Sequence, residues 1–190
     1  MLNIHSRSEE ELIEQCKKGN EKARKELYDL YADKMYGVCL RYIREPDTAE
    51  DILITAFMKI FDKIDQFQFK GSFEGWIRKI MVNEALSFIR KSKNMYLEVD
   101  IDIVEHELDF GQLGSQLEAE DLMKMINRLP TGYKTVFNLY AIEGFSHREI
   151  AHKLSIAENT SKSQLSRARV LLQKYLLESE KMLKAKNMRL

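Results

Sequence analysis

From Glu158 to Tyr175 the chain sets Lys162, Ser163, Ser166, Arg167 and Arg169 along one side of a helical pattern, with Leu165, Ala168 and Leu172 on the other. Cations and hydroxyls on one face of a supported helix are the groups that contact phosphates and read base edges in duplex DNA. The same basic face also occurs on helical bundles that never touch DNA. A second stretch, 64–76, gathers Phe67, Phe69, Phe73 and Trp76 beside Lys70, Gly71 and Gly75. Rings next to a cation are what unpaired bases stack on, and they are equally what pins an ordinary loop to a core. Little else in the chain could do chemistry. His147 and His152 are too far apart to share one helical face, and no Ser/His/Asp order suggests a triad. No glycine-rich phosphate loop appears. Cys16 and Cys39 stand without a spaced Cys/His cluster, so buried reduced thiols are expected, with no disulfide, metal or cofactor. An enzyme is not expected.

The elements that would hold the basic face are legible around it. Gly144 can take the positive φ that ends a preceding helix. Ser146 and Glu149 then form a Ser-x-x-Glu capping box, and Ile150, Ala151 and Leu154 give a short apolar face. Ser155-Ile156-Ala157 is the turn, and the longer helix starts near Glu158 and can run on past Leu176. This is a helix-turn-helix pattern. Ahead of it, 116–129 is amphipathic through Leu117, Leu122, Met125, Ile126 and Leu129, and Pro130 stops it. A further helix, 131–142, carries Val136, Phe137, Leu139 and Tyr140.

The first half reads as four helices. Residues 8–18 carry Leu12, Ile13 and Cys16 on one face, and Gly19-Asn20 breaks them. Residues 21–43 show a wide apolar stripe through Ala23, Leu27, Leu30, Tyr31, Met35, Val38, Cys39 and Tyr42. Pro46 closes that region, and Thr48-x-x-Asp51 offers a capping box for a helix reaching about Lys63. That helix points Ile52, Ala56, Phe57, Ile60 and Phe61 inward and Glu50, Asp51, Lys59 and Asp62 outward, a solvated face by spacing alone. After the aromatic stretch, Ser72 can cap a helix over 73–91. Its inward stripe is Ile77, Ile80, Met81, Leu86 and Ile89, and its outer side carries Arg78, Lys79, Asn83, Arg90, Lys91 and Lys93.

With 190 residues, helix-forming composition and only two prolines, the expected fold class is all-α, in two small helical domains. A formal net charge of zero conceals segregation. Between Met95 and Asp121 there is no lysine or arginine, while Glu98, Asp100, Asp102, Glu105, Glu107 and Asp109 crowd the stretch. Residues 97–116 are therefore expected to be an extended acidic linker. No apolar run is long enough to span a bilayer and no signal-peptide core opens the chain, so a cytoplasmic location is expected.

The order of these elements resembles that of the extracytoplasmic-function (ECF) sigma factors, small two-domain initiation subunits of bacterial RNA polymerase. The likeness rests on A-E-D-I-L followed by A-F-M-K-I-F (49–61), I-D-Q-F (64–67) and G-S-F-E-G-W-I-R-K-I-M-V-N-E-A-L-S-F-I-R-K (71–91). It continues in L-P-T-G-Y-K-T-V-F (129–137) and in G-F-S-H-R-E-I-A with T-S-K-S-Q-L-S-R-A-R (144–169). Two motif sets in the right order cover nearly the whole chain.

The resemblance implies a first domain, 1–94, that binds core polymerase and recognises and melts the minus-ten element. It implies a linker over 95–116, running near the active-site and RNA-exit channels, and a four-helix domain over 117–190 that reads the minus-thirty-five duplex. Glu50, Asp51, Ile52, Lys59 and Asp62 would meet the clamp helices of the largest polymerase subunit. Phe67, Phe73, Trp76, Lys79 and Asn83 would surround the opened strand. Lys162, Ser163, Ser166, Arg167 and Arg169 would contact duplex. The second-largest subunit's flap, promoter DNA and an anti-sigma factor are the further partners implied. A helix-turn-helix regulator acting without polymerase, or an adaptor that touches no DNA, are the competing readings.

The chain departs from the family pattern in several places. Ile54-Thr55 stands where a Gln-Glu pair is usual. Ser155 replaces the turn glycine, and Ala157 and Asn159 replace the usual Ser cap and a later glycine, leaving Asn159 as the residue able to cap. Ser161 takes a normally apolar core position, which predicts a less firmly held recognition helix.

Overall fold

The computed structural model describes residues 8–92 and 119–187. The expected acidic linker, Lys93, Leu117 and the last three residues lie outside them. Every regular element among the described residues is helical, and the chain divides into two compact units, Met1–Phe88 and Ile89–Leu190. It is an all-α, two-domain fold.

The first unit is built from α1 (Glu9–Lys17), α2 (Glu21–Tyr42), α3 (Pro46–Lys63) and α4 (Phe73–Lys91) up to Phe88. Ser8 caps α1 in a capping box with Glu11, and Asn20 caps α2 by accepting from the Ala23 amide. Gly19, with φ +77°, makes the corner between them. Helix α2 ends at Tyr42, and Pro46 opens the next helix instead of merely closing the last. It occupies the first turn of α3, where a missing N–H costs nothing. The expected Thr48-x-x-Asp51 box is therefore not used: Glu45 is the N-cap, with no side-chain bond. Leu27, Met35, Cys39, Ile60, Ile77 and Met81 meet in the core, each stabilising by about 1.5–3 kcal/mol where fully buried. Leu30, expected in the α2 stripe, lies at its edge and is exposed.

The two thiols are free and buried; burial pushes Cys16 up to about 11 and Cys39 up to about 12. On α1 and α2, the Tyr31 hydroxyl donates to Glu9; burial and that carboxylate hold the phenol above its usual range.

The second unit holds α5 (Ala119–Arg128), α6 (Thr131–Phe137), α7 (His147–Leu154) and α8 (Glu158–Asn187). Helix α6 widens into a π turn over Asn138–Ile142, a feature no side-chain pattern announced. Met125 and Ile126 of α5, Leu129 just after it and Tyr133 of α6 pack against Ala168, Leu172 and Leu176 of α8. At the rim of this core, Arg128 lies 4.1 Å over the Tyr175 ring and faces Glu178. No helix among the described residues is long and apolar enough to cross a membrane.

Candidate nucleic-acid interface

In the first unit, the aromatic stretch forms a graded stack from core to surface. A 3-10 turn over Ile64–Gln66 delivers Phe67 inward. Phe67 meets Phe73 edge-on at 5.1 Å and Trp76 at 5.6 Å, while Phe73 also contacts Tyr31 and Trp76. Phe67 and Phe73 are buried, so neither offers a face to a ligand; they support the more exposed rings. The rings that reach solvent are Trp76, half-buried, and Phe69, 41 % exposed. Phe69 has φ +58°, a left-handed conformation unusual for an aromatic residue. Lys17 of α1 straps the loop down: its Nζ donates to the Phe67 carbonyl at 3.2 Å and lies 4.6 Å over the Phe69 ring.

Helix α4 starts beside this loop. The Gly75 amide donates to Ser72 Oγ at 3.1 Å, as the sequence suggested, and a Cβ on Gly75 would meet that oxygen at 3.0 Å. Trp76, Lys79 and Asn83 then recur at i, i+3 and i+7, which aligns them on one side of α4. Lys79 and Asn83 are exposed. The expected strand-contacting set therefore separates into a surface group, Trp76, Lys79 and Asn83, and a buried support, Phe67 and Phe73. Phe69 joins the surface group, and the only signal for it in the sequence was its place next to Lys70.

On α3, Glu50, Asp51 and Asp62 are exposed, whereas Ile52 is buried among the core residues of that helix. Ile52 follows the 49, 52, 53, 56, 60 spacing of the inward stripe and has almost no surface left for a partner. Lys59 is exposed but tied to Glu84 of α4 at 2.7 Å. Ile54, noted in the sequence only as a departure from the family pattern, and Met58 expose large apolar side chains on the outer face, Met58 at 64 %. Beside them an acid-lined cleft of about 410 Å³ runs between α2 and α3, walled by Tyr28, Asp29, Asp33, Tyr36, Glu50 and Leu53.

In the second unit, Gly144 has φ +75° and the Phe145 amide donates to the Leu139 carbonyl, closing the π turn. Ser146 and Glu149 form the expected capping box; the serine's side chain and amide both bond the carboxylate and hold it below the usual range. Ser155 ends α7 in the left-handed region, φ +56° and ψ +44°. Asn159 does not cap: it lies inside the first turn of α8 with negative φ, and Ala157 precedes the helix.

Helix α8 buries Ser161, Gln164, Leu165, Ala168 and Leu172 and exposes Lys162, Ser163, Ser166 and Arg169. Arg167 is half-buried, at the border of the two faces. Lys162 is paired with Glu158 at 2.8 Å, an exposed i,i+4 contact that solvent screens. Ser163 Oγ bonds back to the Thr160 carbonyl. Arg169 lies 5.8 Å over the Tyr140 ring, and Tyr140 stacks on His147 at 4.7 Å. The imidazole Nδ1 is 3.0 Å from Ser161 Oγ. Burial lowers the His147 pKa, Lys162 and Arg169 lower it further, and Glu158 opposes them. The hydroxyl at the normally apolar position is thus buried and paired with α7. An exposed face with Lys162, Arg169 and two hydroxyls has the chemistry for phosphate contact and groove readout.

Comparison with known proteins gives matches in both units. Residues 27–95 match the family described as Sigma-70 region 2, and residues 119–172 match Sigma-70, region 4. The ECF RNA polymerase sigma factor SigW of Bacillus subtilis is 32 % identical over 176 residues, spanning 86 % of this chain and 94 % of that protein. The ECF RNA polymerase sigma-E factor of Haemophilus influenzae is 25 % identical over 178 residues, 87 % of this chain and 94 % of that one. Among solved structures, the sigma factor RpoE in complex with the anti-sigma factor NepR from Bartonella quintana aligns with TM-score 0.48 and 26 % identity, covering 81 % of this chain and 96 % of that chain.

Proposed function

The chain belongs to the ECF RNA polymerase sigma factors, and from that premise we propose that it joins core polymerase, brings it to specific promoters and opens them by dividing the DNA between its two units. The family is not one of catalysts in its own right. The observation that carries the division is that each unit offers a different chemistry. The first presents half-buried aromatic surface beside Lys79 and Asn83; the second presents cations and hydroxyls on a long helix.

An unpaired base gains about 1–3 kcal/mol on an aromatic platform. That gain offsets part of the cost of unstacking, so Phe69 and Trp76 favour the melted minus-ten strand. Lys79 and Asn83 would hold its backbone and base edges. Lys162, Ser163, Ser166 and Arg169 would engage the minus-thirty-five duplex, with Arg167 at the margin of the contact. A bidentate arginine–guanine contact discriminates by about 1–3 kcal/mol. For polymerase, the exposed acids Glu50, Asp51 and Asp62 around Ile54 and Met58 suit a clamp helix carrying basic and apolar groups. Membership also makes an anti-sigma factor the expected inhibitor, the polymerase flap a further contact, and the cytoplasm the place of action.

Transcription from a supercoiled template with purified core polymerase tests this reading. Start-site-specific transcripts that depend on the chain are expected. Duplex binding that never leads to initiation would instead favour a regulator acting without polymerase.

A further inference from the structure

Ser161 is fully buried in the face that α8 turns toward the rest of its unit, at a position otherwise flanked by Leu165 and Ala168. A buried hydroxyl needs a partner, and here that partner comes from the other helix of the motif: His147, the first residue of α7, places Nδ1 at 3.0 Å. The imidazole is in turn fixed by Tyr140 of the π turn, stacked at 4.7 Å and 23°. Arg169 lies 5.8 Å from the same Tyr140 ring. One chain of contacts therefore links the buried seat of α8 to a cation on its exposed face. Leu165 and Leu172 decide which face α8 buries, and a hydrogen bond to a fixed partner adds a directional restraint on top of that packing.

We propose that His147 is a positioning residue for duplex readout, its hydrogen bond to Ser161 and its stack on Tyr140 fixing the rotation of α8 and with it the placement of Lys162 and Arg169. This rests on the reading of α8 as the duplex-contacting helix. Whichever ring nitrogen holds the proton, the serine hydroxyl can donate or accept, so one bond is satisfied in either tautomer. The groups facing the ring are Tyr140 from the π turn and Glu158, Lys162 and Arg169 from α8.

The test uses the full chain with core polymerase and a promoter selected by the unmodified holoenzyme from a randomised duplex pool. His147→Phe keeps an aromatic ring for Tyr140 and removes the nitrogen. It should weaken binding to the selected minus-thirty-five duplex about two- to tenfold, the worth of one neutral hydrogen bond, with binding to unrelated duplex unchanged. His147→Asn, which can return a polar atom near Nδ1, should restore most of the loss. Ser161→Val joined to His147→Phe should be less harmful than the sum of the two single changes. Equal discrimination by the His147→Phe variant, or strictly additive single effects, overturns the proposal. If the unmodified chain itself prefers no minus-thirty-five duplex, the reading of α8 fails, and the proposal with it. Nitrogen NMR of the histidine ring, recorded on the folded chain, covers the case of a variant that does not fold. Ser161→Ala should shift the Nδ1 resonance of His147, and an unmoved resonance counts against the bond.

Discussion

Ser155→Gly should make the helix-turn-helix more stable, and the size of the gain follows from one dihedral. Ser155 sits at φ +56° and ψ +44°, between α7 and the turn into α8. A side chain in that region crowds the following carbonyl, at about 1–2 kcal/mol per residue. Glycine removes the clash but adds freedom to the unfolded chain, which costs about 0.4–1 kcal/mol. Its N–H remains available to the Ala151 carbonyl. The net expectation is roughly 0.5–1 kcal/mol of added stability in the second unit. The only tryptophan, Trp76, lies in the first unit, so its fluorescence does not report this change. Amide hydrogen exchange of peptides spanning 147–172 does, and should slow by about two- to fivefold. Ser155→Ala is the control: it keeps Cβ and with it the strain, so exchange should not slow. Equal slowing in both variants, or none in Ser155→Gly, would refute left-handed strain as the quantity relieved.

Trp76→Ala removes a ring packed on Phe67 and Phe73. The first unit should lose about 1–3 kcal/mol by urea denaturation and promoter opening should fall about 5- to 150-fold, while co-purification with core polymerase persists. Cys16 and Cys39, with thiols raised to about 11 and about 12, should react with a thiol reagent at about pH 8 at least ~100-fold more slowly in the folded chain than in urea. The lowered pKa of His147 means that the unfolded chain takes up its proton first as pH falls. This residue's contribution is therefore fully present above about 6.5 and is lost as pH drops below it toward the lower folded value. Exchange protection of 147–172 should weaken as pH falls below about 6.5, and His147→Asn should flatten that dependence.

Much of this was legible because the helices obey their periods. Ile52 shows it well: the 49, 52, 53, 56, 60 spacing turned it inward, whereas family resemblance alone assigned it to a partner, and the fold sides with the spacing. Phe73 could have been read the same way, since Phe73, Ile77 and Met81 recur at i, i+4 and i+8 and all three are buried. Phe67 could not. It lies in a loop without a period, and only the 3-10 turn at Ile64–Gln66 decides its direction. The His147–Ser161 bond joins residues 14 apart on different helices, and no local pattern encodes it. The same holds for the Lys17 strap on Phe69, 50 residues from its hydrogen-bond acceptor at Phe67. Pro46 had two lawful meanings, helix end or first turn, and the fold uses the second.

The proposed division, with separate surfaces for separate forms of DNA, is tested most directly by footprinting at a mapped start site. Lys79→Ala with Asn83→Ala should leave minus-thirty-five protection from nuclease intact and abolish permanganate-reactive thymines near minus ten. Lys162→Ala with Arg169→Ala should remove the minus-thirty-five protection itself. Loss of both signals to the same extent in both double variants would contradict the division.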